Sequence, residues 1–273
     1  PALVFHSLTT TTLAGSTLTR ITLAVVAFHV LAVVTAEAAG RLFGASETAL
    51  VAIILVTAFP NTGNYGVPVS NFAFGDTGRA TAVVYLSVQA VLIWTVGVYV
   101  ASRGSTDSRL DGVRRVFSVP LVYAVALALV VRALDVVPPV DSTAMSTLQL
   151  VGDSAIPVML LLVGIQLART NVGSTLSAVG GVVGLKMLVA PVIGVGIALA
   201  IGFDDPAVAR TFVLESAMPS AVTPMILVGE FTEGEVAGVP VVEFVSTAIF
   251  ATTLVSVVTL TALIAILQSG VVV

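Results

Sequence analysis

Two polar stretches interrupt apolar segments of this chain, and each is enclosed by prolines. They are Phe59-Pro-Asn-Thr-Gly-Asn-Tyr-Gly-Val-Pro68 and Met218-Pro-Ser-Ala-Val-Thr-Pro224. Proline has no backbone N–H and blocks the carbonyl one turn earlier, so each stretch leaves backbone polar groups free. Inside a bilayer, such groups must be satisfied by protein or by a water-filled cavity. Together the two stretches indicate a binding site, and the alternative is a pair of proline kinks that bind nothing.

The side chains of the first stretch suit an anion or ion. Asn61 and Asn64 share a face if this turn is helical, because they are three residues apart, and Tyr65 follows them. Amides donate to a carboxylate or accept from a cation. A half-helix that begins near Gly66 also points the positive end of its dipole at this place. The alternative is that both amides only satisfy the interrupted backbone.

The second stretch adds hydroxyl groups and follows a carboxylate. A carboxylate inside a span costs about 2.5–3.5 kcal/mol on insertion scales, so Glu215 is a functional candidate. We expect it to carry a coupling proton, or to bind Na⁺ together with the freed carbonyl of Met218; the alternative is a salt bridge to Lys186. The substrate-binding candidates are Asn61, Asn64, Tyr65, Ser220, Thr223 and Gln166, the last of which lies near Pro157 and otherwise makes a helix–helix hydrogen bond.

The composition requires membrane helices to position these residues. The 273 residues have a mean hydropathy of +1.11 and are 57% apolar but only 10% charged, against about 25% charged in soluble domains. The 11 basic and 15 acidic residues form no basic run, which excludes nucleic acid as a partner. No motif of a metalloprotease, intramembrane protease or nucleotide-binding enzyme is present. The sequence therefore predicts an all-α polytopic membrane protein that is not an enzyme and has no metal centre.

Nine apolar stretches are predicted to cross the bilayer, which takes about 20 helical residues. A truncated first span at 1–8 is followed by spans near 18–39, 50–74, 80–102, 115–134, 146–168, 177–201, 208–229 and 239–267. The loop Arg103–Arg115 holds four arginines, so the positive-inside rule places it in the cytoplasm.

An internal repeat relates the two polar stretches. At an offset of 156 residues, Pro1 matches Pro157, Pro68 matches Pro224 and Gly78 matches Gly234. Each interrupted span is followed by a short apolar half and then by a turn with an acidic residue and glycine, at Asp76–Gly78 and at Glu233-Gly234. Interrupted spans at matching places in two halves indicate the binding site of a secondary transporter.

The residues resemble a known family. Asn61–Pro68 resembles the broken fourth span of the auxin efflux carrier family, which includes the plant PIN proteins, and Met218–Phe231 resembles its ninth-span break. Pro1–Phe5 and Ala155–Ala168 are similar to its second and seventh spans, so the resemblance extends over nearly the whole chain. Glu215-Ser-Ala-Met218 is similar to a sodium-binding stretch of bile-acid symporters.

The resemblance implies two inverted five-span repeats whose broken helices cross at the substrate site, a fold shared with bile-acid/sodium symporters. The first repeat would be residues 1–112, with about four spans and its first span missing, and the second would be residues 113–273. The residues expected at the helix crossover are Pro60, Gly66, Pro68, Pro219 and Pro224. Glu215 and Met218 are expected to serve cation coupling.

The sequence therefore predicts a secondary transporter in the plasma membrane that exports a small organic anion by alternating access, with H⁺ or Na⁺ as the coupling ion and no other cofactor. Its expected partners are the transported anion and the lipid bilayer, and a homodimer with a second copy of the chain is a further expectation. Two alternatives stay open. One is a sodium-coupled importer of bile-acid-like or other organic anions, and the other is a membrane sensor that transports nothing.

Overall fold

The computed structural model describes residues 1–10, 13–103, 120–169 and 178–272. This part of the chain is helical apart from one short hairpin, in which β1 (Glu235–Val236) pairs antiparallel with β2 (Val239–Pro240). The helices are α1 Ala2–Thr10, α2 Gly15–Leu42, α3 Glu47–Ala58, α4 Thr62–Ala101, α5 Pro120–Ala133, α6 Thr143–Arg169, α7 Gly180–Ile201, α8 Pro206–Ser216, α9 Thr223–Phe231 and α10 Val241–Gln268.

The lengths of these helices confirm an all-α polytopic membrane protein. Within the described residues, α2, α4, α7, α10 and the Thr143–Leu162 part of α6 are long and apolar enough to cross a bilayer. Their outward faces carry large apolar side chains such as Leu23, Leu199 and Val258, which are more than half exposed. Apolar side chains on the outside suit contact with lipid rather than water.

The two predicted spans that each contain a polar stretch between prolines are both broken in the structure. The span predicted at 50–74 ends as α3 at Ala58 and resumes at Thr62, where α4 opens with the π-helical turn Thr62–Gly66. The span predicted at 208–229 is divided into α8 and α9. Pro224 lies in the first turn of α9, where the missing N–H would have no intrahelical partner anyway. Pro68 lies directly after the π turn, at the second residue of the regular α-helix of α4.

A second discontinuity lies in α4, one residue before the turn expected from the sequence. We predicted a turn at Asp76–Gly78, but the non-helical residue is Gly75, with φ +62° and ψ −146°, and the helix continues through Gly78. Glycine adopts this conformation without the clash of a side chain. Gly78 serves close packing instead, because a Cβ there would lie 2.3 Å from the carbonyl oxygen of Ser70.

Charged residues gather at two ends of the helical bundle. At one end Arg20 binds Asp204 (2.8 Å) and Arg132 donates to the carbonyl of Leu8 (2.8 Å). At the other end Arg41 and Arg103 both bind Glu37. This grouping follows the alternation of the predicted spans, while the cytoplasmic side stays a prediction. Residues 104–119, with most of the Arg103–Arg115 loop and the 112/113 repeat boundary, lie outside the described residues.

Candidate functional site

The two interruptions lie side by side and form hydrogen bonds to each other. Pro60 and Ser220 pair as an isolated antiparallel bridge, which we call the break bridge. The N–H of Asn61 donates to the carbonyl of Pro219 (2.7 Å), and the N–H of Ala221 donates to the carbonyl of Phe59 (2.9 Å). Segments that are 160 residues apart in the chain therefore satisfy part of each other's interrupted backbone.

Side chains from neighbouring helices satisfy two further backbone groups of the bridge. Gln89 of α4 donates its amide to the carbonyl of Pro60 (2.8 Å), and the N–H of Ser220 donates to the hydroxyl of Thr252 in α10 (3.2 Å). Buried backbone groups need such partners. The sequence predicts free backbone polar groups in the two stretches, but the backbone groups of the bridge named here all have partners within the protein. The side chains around the bridge remain for a ligand.

Glu215 is buried completely at the end of α8, against the first turns of α4. Its Oε1 accepts a hydrogen bond from Ser70 (2.6 Å), while its Oε2 has no partner among the described residues. A Cβ on Gly66 would lie 2.1 Å from that Oε2, so the absent side chain of Gly66 is what admits the carboxylate. The positive end of the α4 dipole favours an anion at this position.

Lys186 does not pair with Glu215, although the salt bridge was one alternative. The ammonium group is fully buried and donates to the carbonyl of Thr57 in the last turn of α3 (3.0 Å), with the ring of Phe28 5.9 Å away. Carbonyls in the last turn of a helix lack intrahelical partners and carry the negative end of its dipole. The buried cation therefore lies at a helix C-terminus and the buried anion beside a helix N-terminus.

The structure brings most of the candidate residues to the break bridge. Asn61 is buried, Ser220 and Met218 are fully buried, and the hydroxyl of the buried Thr62 has no partner among the described residues. The half-buried candidates are Asn64 and Tyr65 on the π turn and Thr223 at the start of α9. The side chain of Gln166 lies outside the described residues.

Sequence reasoning missed the residues that hold the site together. Ser70, Gln89 and Thr252 were not among the candidates, yet each bonds to the break bridge or to Glu215. Ser70 carried a signal, because it lies four residues after Gly66 and so shares its helical face. Thr252 carried none, because it is one of many hydroxyl residues in an apolar helix.

Two comparisons relate the sequence of this chain to known proteins. The family model described as membrane transport protein matches residues 1–111 and 108–264. A protein of Methanothermobacter thermautotrophicus named as an uncharacterized transporter is 25% identical over 209 residues, which cover 76% of this chain. The matched part spans 65% of that relative's length. The family match covers most of the chain, so this chain belongs to the membrane transport protein family, which is the family of the auxin efflux carriers.

Proposed function

We propose that this protein is a secondary active transporter that exports a small organic anion across the plasma membrane. The observation that carries the proposal is the break bridge, which holds two interrupted spans together beside a buried carboxylate with one unpartnered oxygen. Asn61, Asn64, Tyr65 and Thr223 offer donors around the bridge, and the start of α4 adds the positive end of its dipole. The hydroxyl of Ser220 donates to the carbonyl of Ala221 (3.4 Å) and would exchange that bond for one to the anion. A mono- or dicarboxylate suits this set of donors.

Glu215 is the proposed site of cation coupling. A carboxylate that is fully buried without an ion pair is most stable with a proton or a cation on it. Its Oε2 has no protein partner within the described residues, which leaves that oxygen for H⁺ or Na⁺. The carbonyl of Met218, one turn later, is a further ligand candidate for Na⁺. Release of the ion would leave a bare charge and so favour the other conformation of the transporter.

The test is flux in proteoliposomes loaded with acetate, malate, succinate or indole-3-acetate, under proton or sodium gradients of either direction. We expect Asn61→Ala to abolish transport while the protein stays folded and inserted. Asn71→Ala, in the same helix but away from the break bridge, is the matched control and should transport normally. Unchanged flux in Asn61→Ala contradicts the assignment of the site.

Other outcomes of this experiment identify the two alternatives. Uptake of a bile acid or another organic anion that is driven by an inward sodium gradient would identify a sodium-coupled importer. Ligand binding without flux under any gradient would identify a sensor. The family match favours transport over the sensor.

A further inference from the structure

A polar cavity lies at the end of the bundle that holds Arg79, away from the break bridge. Its volume is about 450 Å³, within the range of small-molecule sites. Residues of α1 and α4, with Gln149 of α6, form its polar lining. The part of α4 from Thr62 to Gly75 separates this cavity from the break bridge, and its length is about 20 Å at 1.5 Å per residue.

Two buried polar side chains of α1 line this cavity without a hydrogen-bond partner. Nε2 of His6 and the hydroxyl of Ser7 lack partners among the described residues, although the two residues are only 6% and 4% exposed. Most buried polar atoms in proteins are hydrogen-bonded, and those that are not need an explanation. Rotation of the serine hydroxyl or of the imidazole ring would direct both groups at a ligand in the cavity.

Arg79 supplies a cation with unused donors on the cavity wall. Its Nη1 donates to Asp153 of α6 (2.6 Å), and its Nη2 lies 3.8 Å from Asp76. A guanidinium group has five N–H donors, so others are left for a ligand. Planar pairing with a carboxylate is the interaction for which this group is best suited.

We propose that this cavity is a second carboxylate-binding site, in which Arg79 binds the carboxylate and His6 and Ser7 bind a hydroxyl or second carboxylate oxygen. The proposal rests on the proposed function, because the ligand class is that of the transported anion. The ligand carboxylate pairs with the N–H donors of Arg79 that Asp76 and Asp153 leave, and these two acids, whose side chains are 97% and 46% exposed, stay hydrated. The cavity would hold the anion at one membrane face, before or after its passage to the break bridge.

The absence of cysteine from the sequence makes a direct test straightforward. Ser7→Cys introduces a thiol into the cavity, and its modification by a small anionic methanethiosulfonate is measured with and without malate. Ser269→Cys is the control, because Ser269 is exposed at the same end of the bundle, next to Gln268, which donates to the carbonyl of Ala73. Malate at ten times its dissociation constant should slow modification at position 7 about tenfold and leave position 269 unchanged.

Two further variants assign the protection to this cavity. Protection of Ser7→Cys should persist when Asn61→Ala is added and disappear when Arg79→Gln is added. The uncharged malamide should give none in any variant. Protection that follows Asn61 instead of Arg79, a thiol that never reacts, or equal rates with and without malate in a protein that transports malate would each overturn the second site. A protein that transports none of the tested carboxylates contradicts the proposed function itself.

Discussion

The carboxylate of Glu215 lies so close to the Cα of Gly66 that a methyl side chain at position 66 would clash with it. A Cβ on Gly66 would lie 2.1 Å from Oε2 and 2.8 Å from the carboxyl carbon of Glu215. The carboxylate cannot retreat easily, because it is buried on all sides and held by Ser70. The glycine of the π turn and the acid of α8 therefore form one unit, although they come from different broken spans.

We expect Gly66→Ala to abolish transport and to lower the free energy of unfolding by about 1–3 kcal/mol, the usual cost of overpacking a dense interior. Flux in proteoliposomes and thermal unfolding in detergent measure the two effects. Gly63→Ala in the same π turn is the control, because its Cβ would meet Leu86 at an ordinary 3.4 Å. A Gly66→Ala protein as active as Gly63→Ala would contradict the contact.

Glu215→Gln should keep the fold and lose the coupling. Glutamine has nearly the same shape, and its carbonyl can still accept from Ser70, but it can neither carry a proton nor balance Na⁺ with a charge. We expect flux in this variant to become independent of the proton and sodium gradients, while thermal stability changes little.

Glu243→Gln is the control for that experiment, because Glu243 is an exposed acid at the start of α10. It should retain the gradient dependence of the unmodified protein. Full gradient dependence in Glu215→Gln would remove the coupling role from this residue. Ser70→Ala provides a graded case, in which the carboxylate stays but loses its hydrogen bond.

The positions of the breaks could be predicted from the sequence because proline acts locally. Each proline removes a backbone donor. Pro60 and Pro219 follow the ends of α3 and α8, and Pro224 lies in the first turn of α9, whereas Pro68 marks where the π turn of α4 becomes a regular α-helix. The bend in α4 was harder to place, because Asp76-Thr-Gly78 also looks like a turn. Either Gly75 or Gly78 could adopt a positive φ, and tertiary packing determines that Gly75 does so.

The partners of the break bridge could not be predicted, since they depend on which helices pack against it. Gln89 is 29 residues from Pro60, and Lys186 is 129 residues from Thr57. From the sequence alone, Lys186 and Glu215 are two opposite charges inside predicted spans, and an ion pair between them is the simplest expectation. The structure instead gives each charge a helix end of the opposite polarity, which needs no contact between the two side chains.

That arrangement predicts that the sign of the charge at position 186 matters more than its presence. Lys186→Met removes the ammonium together with its burial cost, so its effect on stability should be modest. Lys186→Glu buries an anion against the carbonyl of Thr57 and should cost about 3–5 kcal/mol, as for other buried charges without a partner. Thermal unfolding of both variants, with yield of inserted protein as a second readout, checks the order. Equal stability of the two would exclude the role of the α3 C-terminus.

Gln89→Leu tests whether the break bridge depends on its neighbours for backbone hydrogen bonds. The substitution removes one of the two hydrogen bonds that the buried carbonyl of Pro60 accepts, while the one from the N–H of Thr62 (2.9 Å) stays. Loss of one such hydrogen bond costs about 0.5–1.5 kcal/mol. Gln268→Leu is the matched control, because Gln268 also donates its amide to a carbonyl, that of Ala73 (3.3 Å), but at an exposed position. We expect a lower melting temperature and slower flux for Gln89→Leu only. If both variants have the melting temperature of the unmodified protein, the two backbone hydrogen bonds of the bridge are sufficient to maintain it, and Gln89 has no supporting role.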